Sequence, residues 1–354
     1  MKLTDDWLLE HAPIKRCNWQ MALYAAHLAT GSTLACRAIK GGTITKYLLD
    51  IARFLARFSD RDPRRESPTD HKLADCLNAV IAEVKRWELM PIRREPFTPI
   101  MWKHMDAVMT AHPDLHGPDS ILAAMVDWFG SGLYGGWRLT EWGQPAGNAD
   151  VTTPHLDFKG ETRAFCLPDL EFRLDGNRRI SQQHAYAGKA DRIERIHVTF
   201  RTQKNGDNGE VRVFTRNKAN TRLCFVKCVF SLFQRFVRLM GWNTTAPLGI
   251  ARGATGVISS ITATDIEREM RAAAAVVYDL DPVKHKYALS KWSAHSLRVG
   301  ACVILHSQRF SATQIQFLLR WRSMAFMMYL RNLAFLAGQQ NEAVADTATM
   351  PNFI

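Results

Sequence analysis

Residues 293–333, SAHSLRVGACVILHSQRFSATQIQFLLRWRSMAFMMYLRNL, decide how the rest of the chain is interpreted. The pattern predicts two helices and a short connection, with Ser311 as the N-cap of a helix over 312–319. His295 and Arg298 are three residues apart, so on a helix they share one face and can point at one ligand. Gly300, less than one turn further, allows that helix to pack closely against a neighbour.

Two aromatic residues follow in the same stretch. Trp321 and Tyr329, the latter among apolar residues and beside Arg331, can supply a hydrogen-bond donor and a nucleophile. The alternative is structural, because Tyr and Trp on an apolar helix are often core residues. A His-x-x-Arg pair is likewise a common surface feature. The order of the four residues is more specific than any of them alone.

That order, with Leu-Arg-Asn-Leu after the Tyr, resembles the C-terminal box of the tyrosine recombinases, the phage-integrase family. HSLRVGA at 295–301 and YLRNL at 329–333 are especially similar to Cre-like recombinases and to those of Crypton and DIRS-type mobile elements. The resemblance implies a site-specific DNA recombinase or integrase that cuts and rejoins DNA through a 3′-phosphotyrosine. It implies Tyr329 as the nucleophile, with His295, Arg298 and Trp321 around the phosphate.

An upstream arginine motif completes part of the resemblance. GGWRLTEW at 135–142 is similar to the family's first arginine motif, with Arg138 three residues before the supporting carboxylate of Glu141. We expect this pair at the start of a helix, where the carboxylate orients the site. The structural alternative is that Arg138 caps a nearby carbonyl.

The family's lysine is matched at the tip of a predicted hairpin. NGDNG at 205–209 is rich in residues that tolerate positive φ, and it predicts a hairpin that joins 193–203 to 210–215. Lys204 then lies at the tip and corresponds to the catalytic lysine. Lys218 is the alternative if the register differs, and Lys204 could instead be a solvated turn residue.

These residue types suit attack on a phosphodiester, whose equatorial oxygens gain negative charge during the reaction. Arg138 and Arg298 can clamp those oxygens, while His295 and Trp321 add donors. Tyr329, with an ordinary pKa near about 10, needs such cations to favour its phenolate. A lysine whose pKa is lowered by neighbouring arginines suits the protonation of the departing 5′-oxygen. This chemistry requires no metal or other cofactor, which agrees with the absence of GxxxxGK(S/T), HExxH and clustered carboxylates from the sequence.

Composition and charge agree with a folded protein that binds a polyanion. The chain has 354 residues, 47% of them hydrophobic and 23% charged, which suffices for two domains. Its 46 Lys and Arg against 34 Asp and Glu give a formal charge of +12, spread along the chain. Such a balance favours phosphate contacts but does not by itself distinguish DNA from RNA or an anionic membrane, and a basic surface without any such partner is the alternative.

The cysteines and the absence of targeting signals favour an intracellular protein. Seven scattered cysteines form no Cys-x-x-Cys pair, so neither a disulfide framework nor a zinc site is predicted. Cys224 and Cys228 are expected as buried thiols on one helix. No apolar run reaches the length of about 18 residues needed to span a bilayer, and no signal peptide is recognised. We expect a DNA-associated location, the nucleus if the host is eukaryotic.

The predicted fold class is α+β and mostly helical. Residues 1–92 should form a helical domain, which the resemblance identifies as a SAM-like core-binding domain, with breaks at Gly31 and at Gly41-Gly42. Residues 97–336 should form a mixed α/β catalytic domain with a small antiparallel sheet, and 337–354 a tail. Helices are predicted over the ranges 43–58, 71–87, 98–109, 120–129, 221–240 and 264–277. Thr98 is a possible cap with Pro99 in the first turn, Asp265 is a possible cap of the last helix, and the glycines of SGLYGG at 131–136 allow a tight connection. The interval 144–192, longer than the family needs, is expected to be β-rich.

Two departures from the family pattern leave other functions open. Arg320 stands where the family usually has Gly, and Trp321 precedes Tyr329 by eight residues, one fewer than is usual. They favour the alternative of a domesticated, non-cleaving DNA-binding protein. A type IB topoisomerase-like enzyme is a weaker alternative. If the leading hypothesis holds, the resemblance implies double-stranded DNA as partner and four protomers in a synapse; the target site and the direction of exchange are not encoded in these motifs.

Overall fold

A computed structural model describes residues 12–31, 39–57, 61–67, 69, 72–88, 93–156, 160–188, 190–203, 207–220 and 222–330. The chain divides into two compact units, Met1–Pro91 and Ile92–Ile354. Helices predominate, and the largest sheet is four-stranded and antiparallel. The predicted α+β, mostly helical class is confirmed.

The first unit is built from three helices, α1 (Ile14–Ala29), α2 (Gly41–Leu55) and α3 (Asp75–Trp87). They enclose an apolar core of Met21, Ala22, Ala25, Leu28, Ile44, Leu48, Leu77 and Ile81. The predicted break at Gly41-Gly42 is wrong, because α2 begins at Gly41. Its N–H donates to the Glu88 carboxylate, and a Cβ there would meet Lys85 Cγ at 2.9 Å, so the close approach of α3 explains the glycine.

The described part of the second unit contains, besides its sheet, ten further helices. They are α4 (Pro99–Ala111), α5 (Ile121–Gly135), α6 (Leu139–Trp142), α7 (Gln182–Tyr186), α8 (Phe225–Met240), α9 (Ala263–Val277), α10 (Lys286–Leu289), α11 (Ser296–Ser307), α12 (Ala312–Leu318) and α13 (Met327–Leu330). Of these, α7 and α8 pack against the sheet. Thr98 caps α4 with Pro99 in the first turn, as predicted. The N-cap of α9 is Thr262 and not Asp265, which instead occupies the third position and accepts from the Thr262 N–H at 3.0 Å.

Helix α5 is longer than predicted. The glycines after Phe129 suggested a tight connection, yet the helix continues to Gly135. A Cβ at Gly130 would lie 2.7 Å from Cys228 Sγ, and a Cβ at Gly132 would lie 2.2 Å from Leu297 Cδ2. The glycines therefore serve close packing against α8 and α11, and only Gly136, at φ 55°, ends the helix.

The main sheet has the strand order β2-β1-β3-β4, all antiparallel. Its strands are β1 (Leu170–Leu174), β2 (Arg179–Ile180), β3 (Ile193–Phe200) and β4 (Glu210–Thr215). The predicted hairpin is confirmed, with Phe200 opposite Glu210, although β3 ends before residue 203. Among the described residues of the 144–192 interval, only β1 and β2 are strands of this sheet, so this part of the interval is less β-rich than expected. A separate hairpin joins β5 (Ile250–Arg252) to β6 (Ile258–Ser260).

Aromatic packing supports the segment between α5 and α6. Trp137 is 1% exposed and its ring centroid lies 5.2 to 5.9 Å from those of Phe165, Phe200, Phe214 and Phe225. Its indole N–H donates to Ser131 Oγ at 3.0 Å. The residue next to this anchor, Arg138, therefore has a well-defined main-chain position.

A second, smaller apolar cluster lies under the C-terminal helices. It consists of Ala301, Cys302, Ile315, Leu319, Phe326 and Leu330, with Trp321 and Tyr329 packed against it. Ser311 caps α12 as predicted, and its partner Gln314 donates and accepts in a capping box. The cluster attaches α12 and α13 to α11.

Candidate active site

Arg138 and Glu141 lie at the start of α6. Arg138 is the N-cap residue, and the Glu141 carboxylate accepts from its backbone N–H at 2.9 Å and from its Nη1 at 2.9 Å. The carboxylate thus orients the main chain and the guanidinium of Arg138 together. Arg138 Nη2 also donates to the carbonyl of Arg320 at 3.1 Å, so the carbonyl-capping alternative describes one of its contacts.

Glu141 is shared between two arginines. Its Oε1 also accepts from Arg320 Nη1 at 3.0 Å, and its Oε2 from Arg320 Nη2 at 3.1 Å. The Glu141 side chain is 3% exposed and that of Arg320 1%. Burial alone would raise the pKa of Glu141, but Arg320 and Arg138 outweigh it and hold the pKa below its ordinary value. Glu141 is therefore a buried carboxylate at neutral pH.

The end of α12 explains the position of Arg320. The N–H of Trp321 donates to the Gln316 carbonyl at 2.8 Å and that of Arg320 to the Phe317 carbonyl at 3.2 Å, which is a Schellman motif. Arg320 adopts the left-handed conformation, with φ 57°. This is the conformation that glycine favours, so the geometry accounts for a glycine in related patterns and makes Arg320 unusual here.

Arg298 lies on α11 and faces inward. It is 2% exposed; Nη1 donates to the Gly136 carbonyl at 2.8 Å, and Nη2 to the carbonyls of Leu319 and Arg320. Its guanidinium carbon lies 4.4 Å from the ring centroid of Trp321. Burial, with the charges of Arg138 and Arg320, lowers the pKa of Arg298 to about 9, which leaves it protonated at neutral pH.

His295 and Tyr329 contact each other directly. His295 Nε2 lies 2.7 Å from Tyr329 Oη, and their ring centroids are 5.4 Å apart. His295 is the N-cap residue of α11. Burial raises the pKa of Tyr329 and the charge of Arg298 only partly opposes it, so Tyr329 is a phenol at neutral pH. The expectation that the cations bring this pKa down is not met in the free protein.

Trp321 lies between Arg298 and Tyr329. Its ring centroid is 5.8 Å from that of Tyr329 and 6.2 Å from that of Phe326. Its Nε1 is buried and has no hydrogen-bond partner among the described residues. Trp321 thus combines a packing role with an unpaired donor.

Lys204 lies outside the described residues, so its predicted place at the hairpin tip stays a prediction. The alternative, Lys218, has a side chain that is 78% exposed and lies 3.6 Å from Glu194. Beside the hairpin tip, Gln203 is 6% exposed and donates to Glu210 Oε2 at 2.7 Å and to the Asp207 carbonyl at 2.6 Å. Its Oε1 accepts from Arg138 Nη1 at 3.5 Å. The base of the hairpin is therefore linked to the arginine.

Sequence reasoning missed two residues of this cluster. Arg320 was recognised only as a departure from the pattern, and Gln203 was not singled out. The signal for Arg320 was an arginine at a helix C-terminus where glycine is preferred. Gln203 carries no such signal, because its partners are apparent only in the folded chain. Of the predicted residues that are described, Arg138, Glu141, His295, Arg298, Trp321 and Tyr329 come together in one cluster.

Neither a metal cluster nor a membrane span is found in the described part of the chain. No group of three or more His, Cys, Asp or Glu side chains there is arranged to hold a metal ion. None of the described helices combines the length and the apolar character needed to cross a membrane.

Comparison with known proteins returns structures but no sequence family. No protein-family model matches the chain, and no curated protein does. The chain is similar to the Tn1549 transposon integrase in complex with transposon right end DNA, with 14% identity and a TM-score of 0.43 over 97% of this chain and 88% of that chain. Two complexes of the same integrase with circular intermediate DNA give 14% identity, TM-scores of 0.41 and 0.40, and coverage of 93% and 95% of this chain and 86% of that chain.

Proposed function

We propose that the protein is a tyrosine recombinase that cuts and rejoins double-stranded DNA at specific sites through a 3′-phosphotyrosine. The observation that carries the proposal is the 2.7 Å contact between Tyr329 Oη and His295 Nε2, next to Arg298 and Trp321. A nucleophile, a proton acceptor and fixed cations are the groups that attack on a phosphodiester requires.

His295 accounts for the activation of Tyr329. The raised pKa of Tyr329 means that the phenol must lose its proton as it attacks. His295 Nε2, in the tautomer whose proton is on Nδ1, accepts that proton over the 2.7 Å contact. The bond from Tyr329 Oη to phosphorus forms while the bond from phosphorus to the 5′-oxygen breaks, and we assign the proton for the departing oxygen to Lys204. A 5′-hydroxyl can reverse the step, because the phosphotyrosine conserves the bond energy.

Arg138 and Arg298 stabilise the charge on the phosphate in different ways. Arg138 has a side chain that is 20% exposed, so it can contact a phosphate oxygen directly while Glu141 orients it. Arg298 is buried behind Trp321 and supplies positive potential without direct contact in this arrangement. The indole N–H of Trp321 is unpaired but buried, so we assign it to the phosphate as a donor that becomes accessible only when DNA is bound.

The proposal extends to the partner and the domains. The formal charge of +12 suits a DNA partner. We assign residues 1–92 as the core-binding domain, 97–336 as the catalytic domain and 337–354 as a tail, with four protomers on DNA as the family resemblance implies. The chemistry assigned to the residues above needs no cofactor.

A second candidate is a non-cleaving DNA-binding protein with the same fold. The burial of Arg298, whose guanidinium is occupied by three carbonyl oxygens, favours it, because a clamp on phosphate needs free N–H groups. This candidate predicts DNA binding with no covalent product.

A nicked suicide duplex tests the proposal. The duplex is made from the DNA that flanks the coding region, where a mobile recombinase has its sites, and the full chain is incubated with it. Wild-type protein should form a denaturation-resistant adduct on Tyr329, identified by mass spectrometry, and Tyr329→Phe should form none. Tyr287→Phe, which changes a 68% exposed tyrosine, should form as much adduct as wild type. Binding without an adduct in wild type would favour the non-cleaving candidate, and an adduct with Tyr329→Phe would refute the nucleophile.

A further inference from the structure

We infer that Arg320 is a positioning residue of this site, which holds Glu141 through its side chain and both Arg138 and Arg298 through its peptide carbonyl. The inference rests on the proposed function, because it explains how the cations of that site are kept in place. Arg320 itself is 4% exposed, so it positions other groups and does not contact DNA.

The backbone of residue 320 links the two other arginines. Its carbonyl accepts from Arg138 Nη2 at 3.1 Å and from Arg298 Nη2 at 3.4 Å. The left-handed conformation, φ 57°, is what ends α12 and turns this peptide toward them. The guanidiniums of α6 and α11 are therefore tied to one peptide group, whichever side chain residue 320 carries.

The side chain of Arg320 acts on a different group. It forms a bidentate pair with Glu141, donates to the Gly135 carbonyl at 3.2 Å, and lies 3.6 Å from the ring centroid of Phe200. Each Glu141 oxygen accepts one bond from Arg138 and one from Arg320. Without Arg320, each oxygen keeps a single donor in a buried environment, which favours the protonated acid.

Loss of the Arg320 side chain should favour protonation of Glu141. This effect distinguishes a positioning role for Arg320 from simple support of the fold. The charged groups that face Glu141 are Arg138, Arg298 and Arg320, and Glu210 acts on Arg320. In Arg320→Gly the opposing effect of Arg320 is lost and the pKa of Glu141 rises. A protonated Glu141 no longer holds the Arg138 guanidinium by charge, so the reaction should fail at a higher pH than in wild type.

The left-handed conformation makes the side chain separable from the backbone. Glycine adopts positive φ without steric cost, so Arg320→Gly retains the carbonyl contacts and removes only the side chain. Arg309 is a matched control, because it follows α11 in a second Schellman motif at φ 62° and its side chain is exposed. Arg309→Gly makes the same chemical change at the same backbone geometry.

The experiment measures the rate of adduct formation on the suicide duplex in single turnover, from about pH 5 to about pH 9. A buried carboxyl group with a raised pKa changes its protonation within this range. Arg320→Gly should be slower by about 10- to 100-fold at the acid end, the scale of a misplacement on the order of 1 Å, and should recover as the pH rises. Arg309→Gly should match wild type throughout. Arg320→Lys, which keeps the charge but not the bidentate geometry, should be slower than wild type with a smaller shift in pH.

Several results would overturn the inference. Arg320→Gly at the wild-type rate over the whole range would do so, and so would a deficit that is the same at every pH. If Arg320→Gly does not fold, Arg320→Lys takes its place, and a wild-type rate and pH profile for Arg320→Lys would overturn the inference. If wild type forms no adduct, the proposed function fails, and titration of the Glu141 carboxyl followed by carbon NMR decides separately. A higher pKa in Arg320→Gly supports positioning, and an unchanged pKa overturns it.

Discussion

Substitution of Gly300 by Ala should destabilise the second unit and disturb its candidate site. Gly300 lies in α11 opposite the segment before α4, where the Phe97 N–H donates to the Ser296 carbonyl at 2.9 Å. A Cβ at Gly300 would lie 2.0 Å from the Phe97 carbonyl oxygen, whereas ordinary contact begins at 3.4 Å. The helix must therefore move by 3.4 − 2.0 = 1.4 Å, or Phe97 must move away by as much.

The expected loss in the free energy of unfolding of Gly300→Ala is the sum of three contributions. Overpacking costs about 1–3 kcal/mol, and loss of the bond between Phe97 and Ser296 costs about 1 kcal/mol. The higher helix propensity of Ala returns about 1 kcal/mol. The net loss in the free energy of unfolding should be about 1–3 kcal/mol. Since α11 carries Arg298 and begins at His295, formation of the adduct should also slow.

Urea denaturation of the full chain, followed by tryptophan fluorescence, measures this loss. The control is Gly117→Ala in the same unit, where an added Cβ would meet nothing within 4 Å. That variant should be as stable as wild type or gain a few tenths of a kcal/mol, roughly the effect of reduced freedom in the unfolded chain. If Gly300→Ala were as stable as Gly117→Ala, the close approach of α11 to Phe97 would be refuted.

Three further predictions concern charge, thiols and salt. Glu141→Gln should lose about 3–5 kcal/mol at neutral pH, because Arg320 is left buried beside a neutral amide. Because the fold lowers the pKa of Glu141, its ionised carboxylate stabilises the folded state at pH values above the unfolded pKa. This stabilisation is lost as the pH falls through the folded pKa, so the urea curves of wild type and Glu141→Gln should converge in acid. A difference that is the same at every pH would contradict this. Burial raises the pKa of the Cys302 thiol to about 12 and that of the Cys166 thiol to about 11. Iodoacetamide at about pH 8 should therefore label neither thiol until the chain unfolds, which mass spectrometry can follow. Rapid labelling of Cys302 in the native protein would count against its burial. Affinity for duplex DNA should fall steeply with salt in a fluorescence anisotropy titration, and a flat dependence would exclude phosphate contacts as its source.

Features set by neighbouring residues were predictable from the sequence. Ser311 caps α12 and Thr98 caps α4 because a cap needs only a donor two or three residues further along. The hairpin that pairs Phe200 with Glu210 follows from its turn residues in the same way. The pairing of Arg138 with Glu141 also lies within one helical turn.

Features that depend on distant partners were not predictable. Glu141 and Arg320 are 179 residues apart, and no local pattern indicates that they meet. The glycines of α5 suggested a connection, whereas they allow close packing against Cys228 and Leu297. This could not be predicted, because both partners lie far along the chain. The raised pKa of Tyr329 has the same origin, since burial in the folded chain outweighs the charge of Arg298.

The small apolar cluster under α12 and α13 has a consequence for dynamics. Tyr329 and Trp321 pack against this cluster and not against the main core of the second unit, so the segment that carries them has its own local stability. Amide hydrogens of α12 should exchange through local opening, with a lower free energy than those of α5 or α8. The contacts of Arg320 with Glu141, Arg138 and Arg298 fasten this segment to the rest of the unit, so we expect their loss to make Tyr329 leave its place beside His295 more often.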